Sequence, residues 1–190
     1  MFLKAISIKS RAIWPAWIIM VLAILLPMKA NADIQLKFGV YTSDKPSEMV
    51  KSFRPILNAI ESGLTNRLGE PVKISMQVAN SYEKGVDDLV SGAVDFARFG
   101  PASYITAREC NPDIKILAIE SKKGRKEFNG VTCVAEDGPL QGMEDLQAVL
   151  LEMDAPDALK ALKKDGFLAG ADADYAVIRT AMQQNPRFFE

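Results

Sequence analysis

The 190 residues include no histidine and only two cysteines, Cys110 and Cys133. Without histidine the most frequent general base and metal ligand is missing. Two isolated cysteines make no recognisable metal-ligand spacing. A nucleophile elbow of the Gly-x-Ser-x-Gly type, a phosphate loop ending in Gly-Lys-Ser/Thr and a cysteine with an evident base are absent too. The acidic pairs Asp87-Asp88 and Glu144-Asp145 fall on helical stretches, where they are expected to face solvent. No catalytic residue, metal or cofactor is therefore expected, and a binding module is favoured over an enzyme.

Long apolar runs are scarce as well. The single one, from about Ile13 to Met28, is shorter than the ~20 residues of a usual membrane-spanning helix, and Pro15 and Pro27 lie near its ends. It follows the basic residues Lys4, Lys9 and Arg11 and precedes Ala30-Asn31-Ala32, a small-x-small site. These are the three zones of a secretory signal, with cleavage predicted after Ala32; an uncleaved anchor is the alternative. No cysteine follows the run, so lipid anchoring is not expected. In an oxidising compartment Cys110 and Cys133 could pair, or remain two separate thiols, and their spacing decides neither. With Lys4, Lys9, Arg11 and Lys29 removed, 19 basic residues face 24 acidic ones, a net charge of −5. Nucleic acid and anionic membrane surfaces are poor partners for such a chain.

From residue 33 strand and helix patterns alternate. "IQLKFGVYT" (34–42) is apolar at Ile34, Leu36 and Phe38 and then continuously so, as a buried strand is. Met49, Val50, Phe53, Ile56, Leu57, Ile60, Leu64 and Leu68 mark one face of a long helix, with Pro55 inside it and Gly69 as its stop. "VKISMQVA" (72–79), "AVDFARF" (93–99) and "DIKILAIES" (113–121) read as further strands. Between them lie helices at 81–92, capped by Ser81, and at 101–109. This order predicts an α/β fold with a mostly parallel sheet and helices on both faces. The basic stretch "SKKGRKEFNG" (121–130) reads as a solvated loop, with docking to a partner as the sharper alternative. "VTCVAEDGPL" (131–140) reads as a last strand running into the turn Asp137-Gly138-Pro139. Three helices without a strand among them are then expected in 141–190. The expected domains are thus a signal at 1–32, an α/β lobe at 33–140 and a C-terminal helical segment at 141–190.

In such sheets ligands sit beyond the carboxyl ends of the strands, where loops lead into helices. At "DFARFGPASY" (95–104) a strand stops at Gly100 and a helix restarts at Pro101. Glycine lets the backbone approach a ligand, and proline suits the first helical position. The free amides of Ala102, Ser103 and Tyr104 would then face outward, as an anion-binding helix end requires. Thr42 and Ser43, and Ser81 with Tyr82, offer hydroxyls at the neighbouring strand ends, although caps and rim packing would use them equally well.

Three segments, "LKFGVYTSDKPSEMVKSFRPILNAIESGLTNRLGEPVKI", "SYEKGVDDLVSGAVDFARFGPASYITA" and "KEFNGVTCVAEDGPLQGMEDL", resemble the phosphate/phosphite/phosphonate-type periplasmic substrate-binding proteins of ABC transporters. The resemblance covers about 34–146. It implies one lobe of a periplasmic-binding-protein type II fold, a small tetrahedral oxyanion as ligand, a monomer in the periplasm and a permease in the inner membrane as partner. By position it makes Tyr82 an aromatic lining the cleft, and Gly100, Ala102, Ser103 and Tyr104 the helix start facing the ligand. Phe99 stands where some members use a tyrosine hydroxyl, which phenylalanine cannot supply. After Leu146 the family's Ser/Thr-rich loop and second lobe have no counterpart, and "DALKALKKDGFLAGADADYAVIR" resembles the family's last helices. The expectation is a binding protein reduced to one lobe, with weakened affinity. The alternatives are a periplasmic regulatory or interaction module contacting a membrane sensor or permease, and a decayed product that binds nothing.

Overall fold

The computed structural model describes residues 33–42, 45–135 and 143–185. The expected signal 1–32 with its cleavage site, Ser43 and the turn Asp137-Gly138-Pro139 lie outside the described residues. Strand β1 (Ile34–Tyr41) is buried without a break from Phe38 to Tyr41, because helices cover both of its faces. Helix α1 (Pro46–Leu68) buries the stripe Met49, Phe53, Ile56, Leu57, Ile60 and Leu64, runs through Pro55 and ends at Gly69. Next come β2 (Val72–Ala79), α2 (Tyr82–Val90), β3 (Phe96–Phe99) and α3 (Pro101–Cys110). Both β2 and β3 pair with β1 in parallel. Asp95 lengthens the short β3 ladder, since its amide donates to the Lys37 carbonyl (2.9 Å) and its carboxylate accepts from the Lys37 amide (2.6 Å).

The chain then departs from simple alternation. Strands β4 (Ile114–Lys122) and β5 (Arg125–Ala135) form an antiparallel hairpin, and β5 inserts between β3 and β4. The stretch 121–130, expected as a loop, is therefore mostly strand. Only Lys123 and Gly124 turn, at φ 52° and 69°, the positive-φ pair that tight hairpins favour. The strand expected from residue 131 begins six residues earlier, at Arg125. Helices α4 (Met143–Leu151) and α5 (Pro156–Leu162) are followed by a strand that sequence reading missed, β6 (Gly166–Leu168). It pairs antiparallel with β4 through Ile119 and Leu168. A 3-10 turn (Asp172–Tyr175) leads into α6 (Ala176–Gln184).

The sheet order is β2-β1-β3-β5-β4-β6. Strands β1 to β4 run one way, while β5 and β6 run against them. One core fills the space between the sheet and α1, α4 and α5, around Leu57, Leu117, Val134, Leu146 and Leu150. The other lies under α2 and α3, around Leu89, Phe99, Ile105, Ile119 and Val131. Cys133 belongs to the second core and Cys110 is exposed, so the two cysteines stay unpaired. Burial raises the Cys133 thiol pKa, which keeps it protonated and unreactive. Among the described residues no helix is long and apolar enough to cross a membrane.

Several polar groups that the sheet would strand are matched by side chains. Along the outer edge of β2, α1 supplies the partners. The Thr65 hydroxyl accepts from the Val72 amide (3.0 Å), the Glu61 carboxylate accepts from the Ile74 amide (2.7 Å), and the Arg54 guanidinium donates to the Ile74 carbonyl (3.2 Å). Asp88, expected to face solvent, is 3% exposed and paired with Lys84 one turn before it. Glu120 is 2% exposed, meets Arg98 at 2.9 and 3.1 Å through both of its oxygens, and meets Lys164 at 3.3 Å. Lys164 also pairs with Glu127, whose carboxyl it holds below the usual range.

Candidate functional site

The parallel strands β1, β2 and β3 deliver their carboxyl ends to one side of the sheet, and α2 and α3 start there. Their two starts differ electrically. At α2 the Ser81 hydroxyl accepts the Lys84 amide (3.1 Å). The Glu83 carboxyl, held below the usual carboxylate range by its own backbone N–H and then by Ser81, occupies the same helix end. This end is filled by the helix's own residues. At α3 the capping residue is Gly100, which has no side chain to offer, and Pro101 follows it. The Tyr104 amide is spent on the Gly100 carbonyl (3.1 Å). The amides of Ala102 and Ser103 have no partner among the described residues, and they form the positive end of the helix dipole. Between the two starts runs a groove of about 170 Å³ lined by Tyr82, Glu83, Val86, Ser103 and Thr106.

Of the residues singled out from sequence, Tyr82 and Ser103 meet in this groove, and Gly100 and Ala102 belong to the helix start that carries Ser103. Tyr82 is 54% exposed. Others point elsewhere. The Thr42 hydroxyl donates to the Ala79 carbonyl (2.9 Å), closing the β1–β2 ladder. Phe99 is 0% exposed and packs in the second core, so its side chain lines no surface. Tyr104 is 1% exposed and turns inward, where its hydroxyl donates to Asp172 (2.8 Å) and its ring packs on Tyr175 at 5.2 Å. Burial, then the hydrogen bond to Asp172, raises the Tyr104 phenol pKa. Its side chain is a tether between α3 and the C-terminal segment, which corrects its expected place facing the ligand.

One residue at this site escaped the sequence reading. Tyr41, the last residue of β1, brings its hydroxyl to 2.6 Å from the Gly100 amide, which donates to it. Its ring stacks on Phe99 at 5.8 Å and meets Tyr82 edge-on at 4.5 Å. The only signal was its position, an aromatic at a carboxyl strand end beside Thr42.

An open pair of amides at the end of parallel strands is a place for an anion, and comparison with known proteins identifies the setting. Residues 38–149 match the family described as "ABC transporter, phosphonate, periplasmic substrate-binding protein". The chain belongs to this family. Its members are periplasmic solute-binding proteins, not enzymes, and they serve transport by presenting small ligands to a permease. The structure is similar to PhnD1 from Prochlorococcus marinus (MIT 9301) in complex with methylphosphonate, with a TM-score of 0.62 and 12% identity over 81% of this chain and 99% of that one. It is also similar to XAC2383 from Xanthomonas citri. The form bound to chloride ion gives a TM-score of 0.60 and 11% identity over 79% of this chain and 95% of that one. The form bound to ATP gives 0.63 and 10% over 82% and 99%. At such identities the likeness concerns the fold alone. That fold is a lobe of the periplasmic-binding-protein type II kind, an α/β sheet with helices on both faces.

Proposed function

We propose that this protein is the exported solute-binding component of an ABC transporter for phosphonate, phosphate or phosphite-like oxyanions, reduced to one lobe and weakened in binding. The open amide end of α3 carries the reading. Ala102 and Ser103 offer two unspent amide donors at a dipole's positive end, whereas the α2 end is already filled. Tyr82 forms the rim, and Ser43 after β1 is a further candidate contact. The described residues hold one six-stranded sheet with both faces covered by helices, which supports a lobe that stands alone. An anion bound to it faces water on one side, where charge-assisted bonds contribute much less than in a closed clamp. Affinity for methylphosphonate, phosphate or phosphite is expected at about millimolar or weaker. Calorimetry on the exported protein checks this, and micromolar binding overturns the weakened single-lobe reading. Mass measurement of the periplasmic product should place its first residue at Asp33, and gel filtration should show a monomer.

A second reading, an interaction module that contacts a permease or sensor in the membrane, draws on the hairpin tip. Lys122, Lys123 and Arg125 project there with no ion pair among the described residues. Reversing these three charges should abolish capture of a membrane partner if this reading holds, and leave oxyanion binding intact.

A further inference from the structure

We propose that the Tyr41 hydroxyl supplies the side-chain donor of the oxyanion site, in place of the hydroxyl that Phe99 lacks. The inference rests on the reading of the α3 start as that site and adds a residue to it. A phenol that accepts one hydrogen bond still has its own proton to give. The Tyr41 oxygen accepts from the Gly100 amide at 2.6 Å, and no oxygen among the described residues accepts its proton. Tyr41 is 8% exposed, so the hydroxyl is held in place rather than swinging in solvent. Accepting from Gly100 also polarises the O–H bond and makes it a better donor. Beside the free amides of Ala102 and Ser103 it completes a set of three donors at one helix start.

The surroundings are shaped to this ring. A Cβ at Gly85 would stand 3.1 Å from the Tyr41 Cδ1 atom, and one at Gly100 would stand 3.0 Å from the hydroxyl oxygen. Two flanking helices thus present glycine at the two points where the tyrosine needs room. Phe99 stacks nearly parallel to it, 16° between ring planes, as a flat support. The pair divides what one tyrosine at position 99 would do, with Phe99 filling the core and Tyr41 carrying the oxygen.

The test is Tyr41→Phe, with methylphosphonate and inorganic phosphate as probes, on the exported protein. Calorimetric affinity should fall at least about tenfold, the loss expected when one charge-assisted hydrogen bond goes. A hydroxyl that only caps Gly100 would lower the melting temperature and leave affinity unchanged, and that result overturns the proposal while sparing the site. If Tyr41→Phe does not fold, 3-fluorotyrosine at position 41 decides. Its fluorine resonance should move on addition of methylphosphonate, and a resonance that stays put overturns the proposal. An unmodified protein that binds neither probe at tens of millimolar overturns the proposal and the oxyanion reading together.

Discussion

Arg98 and Glu120 meet face to face under α1, with the guanidinium carbon 5.8 Å from the centre of the Phe53 ring. Burial works against the Arg98 charge, but the Glu120 hydrogen bonds outweigh it and the guanidinium pKa is raised. A pair of this kind adds little beyond what a well-packed apolar pair would, yet removing one member strands the other's charge in the interior. Glu120→Ala is therefore expected to cost about 3–5 kcal/mol, measured as a lowered denaturant midpoint. The double change Arg98→Met with Glu120→Leu should recover most of the loss. A single change as damaging as a surface substitution would mean that water reaches the pair. Residue identity alone shows neither partner. Arg98 and Glu120 are 22 positions apart, and in sequence each looks like a solvated charge on a strand. The same holds for Asp88 and Tyr104, whose partners set their direction. The Gly-Pro junction predicts an outward-facing Tyr104 amide, but that amide bonds the Gly100 carbonyl and Asp172 draws the side chain inward.

At the scale of elements, the C-terminal 3-10 turn and α6 are held by Tyr175, Ile178 and Met182 in the second core and by a set of charge pairs. Asp172 takes hydrogen bonds from Arg179 (2.6 and 3.1 Å) and Tyr104 and lies 3.3 Å from Arg108, and Asp174 meets Lys126 at 2.7 Å. Both carboxyls have lowered pKa values, Asp172 chiefly through Arg179 and Asp174 chiefly through Lys126. A carboxyl with a depressed folded pKa stabilises above its unfolded value, about 3.9, and loses that stabilisation as pH falls through the folded value. Docking of α6 should thus be independent of pH from 5 to 7 and begin to weaken as pH falls below about 4. Amide hydrogen exchange in 172–184 reads this directly, and Asp172→Asn should loosen α6 already at neutral pH while flattening its acid dependence. The long elements, β1, α1, β2 and α2, were legible because each buries a regular stripe or alternation beside a clear cap. The β4–β5 hairpin was not. Its tip is cationic and glycine-containing, and the residues around it face solvent, so no apolar period marks them as strand. Three-residue β6 is too short to show a period at all, and it exists because β4 offers an open edge.

For the molecule as a whole, the fold class was readable because alternating strands and helices admit few arrangements. The insertion of β5 between β3 and β4 was not, since nothing local states which strand a hairpin will join. Of the candidate site, the α3 start could be read from the Gly-Pro junction, and Gly100, Ala102 and Ser103 do stand there. Tyr41 could not be read, because its role depends on a helix start 59 residues later. Two separate cores, one on each face of the sheet, predict a single cooperative unfolding transition in which they fail together, since every central strand contributes to both. Urea curves followed by tyrosine fluorescence and by far-ultraviolet dichroism should coincide. Separated midpoints would show that the faces melt independently.

The side chains that α1 lays along β2 bear on how such a chain avoids stacking on its own copies. An unpaired strand rim is a template on which further copies can stack, end on end, into fibres. Here Thr65, Glu61 and Arg54 plug that rim where it begins. Members of a periplasmic family meet neighbours away from the chaperones of the cytoplasm. Thr65→Val with Glu61→Leu would keep the helix and unplug the rim. Slow growth of light scattering and thioflavin fluorescence on storage, absent from the unaltered protein, is the result to look for, and a solution that stays clear would mean that the twist of the sheet already suffices.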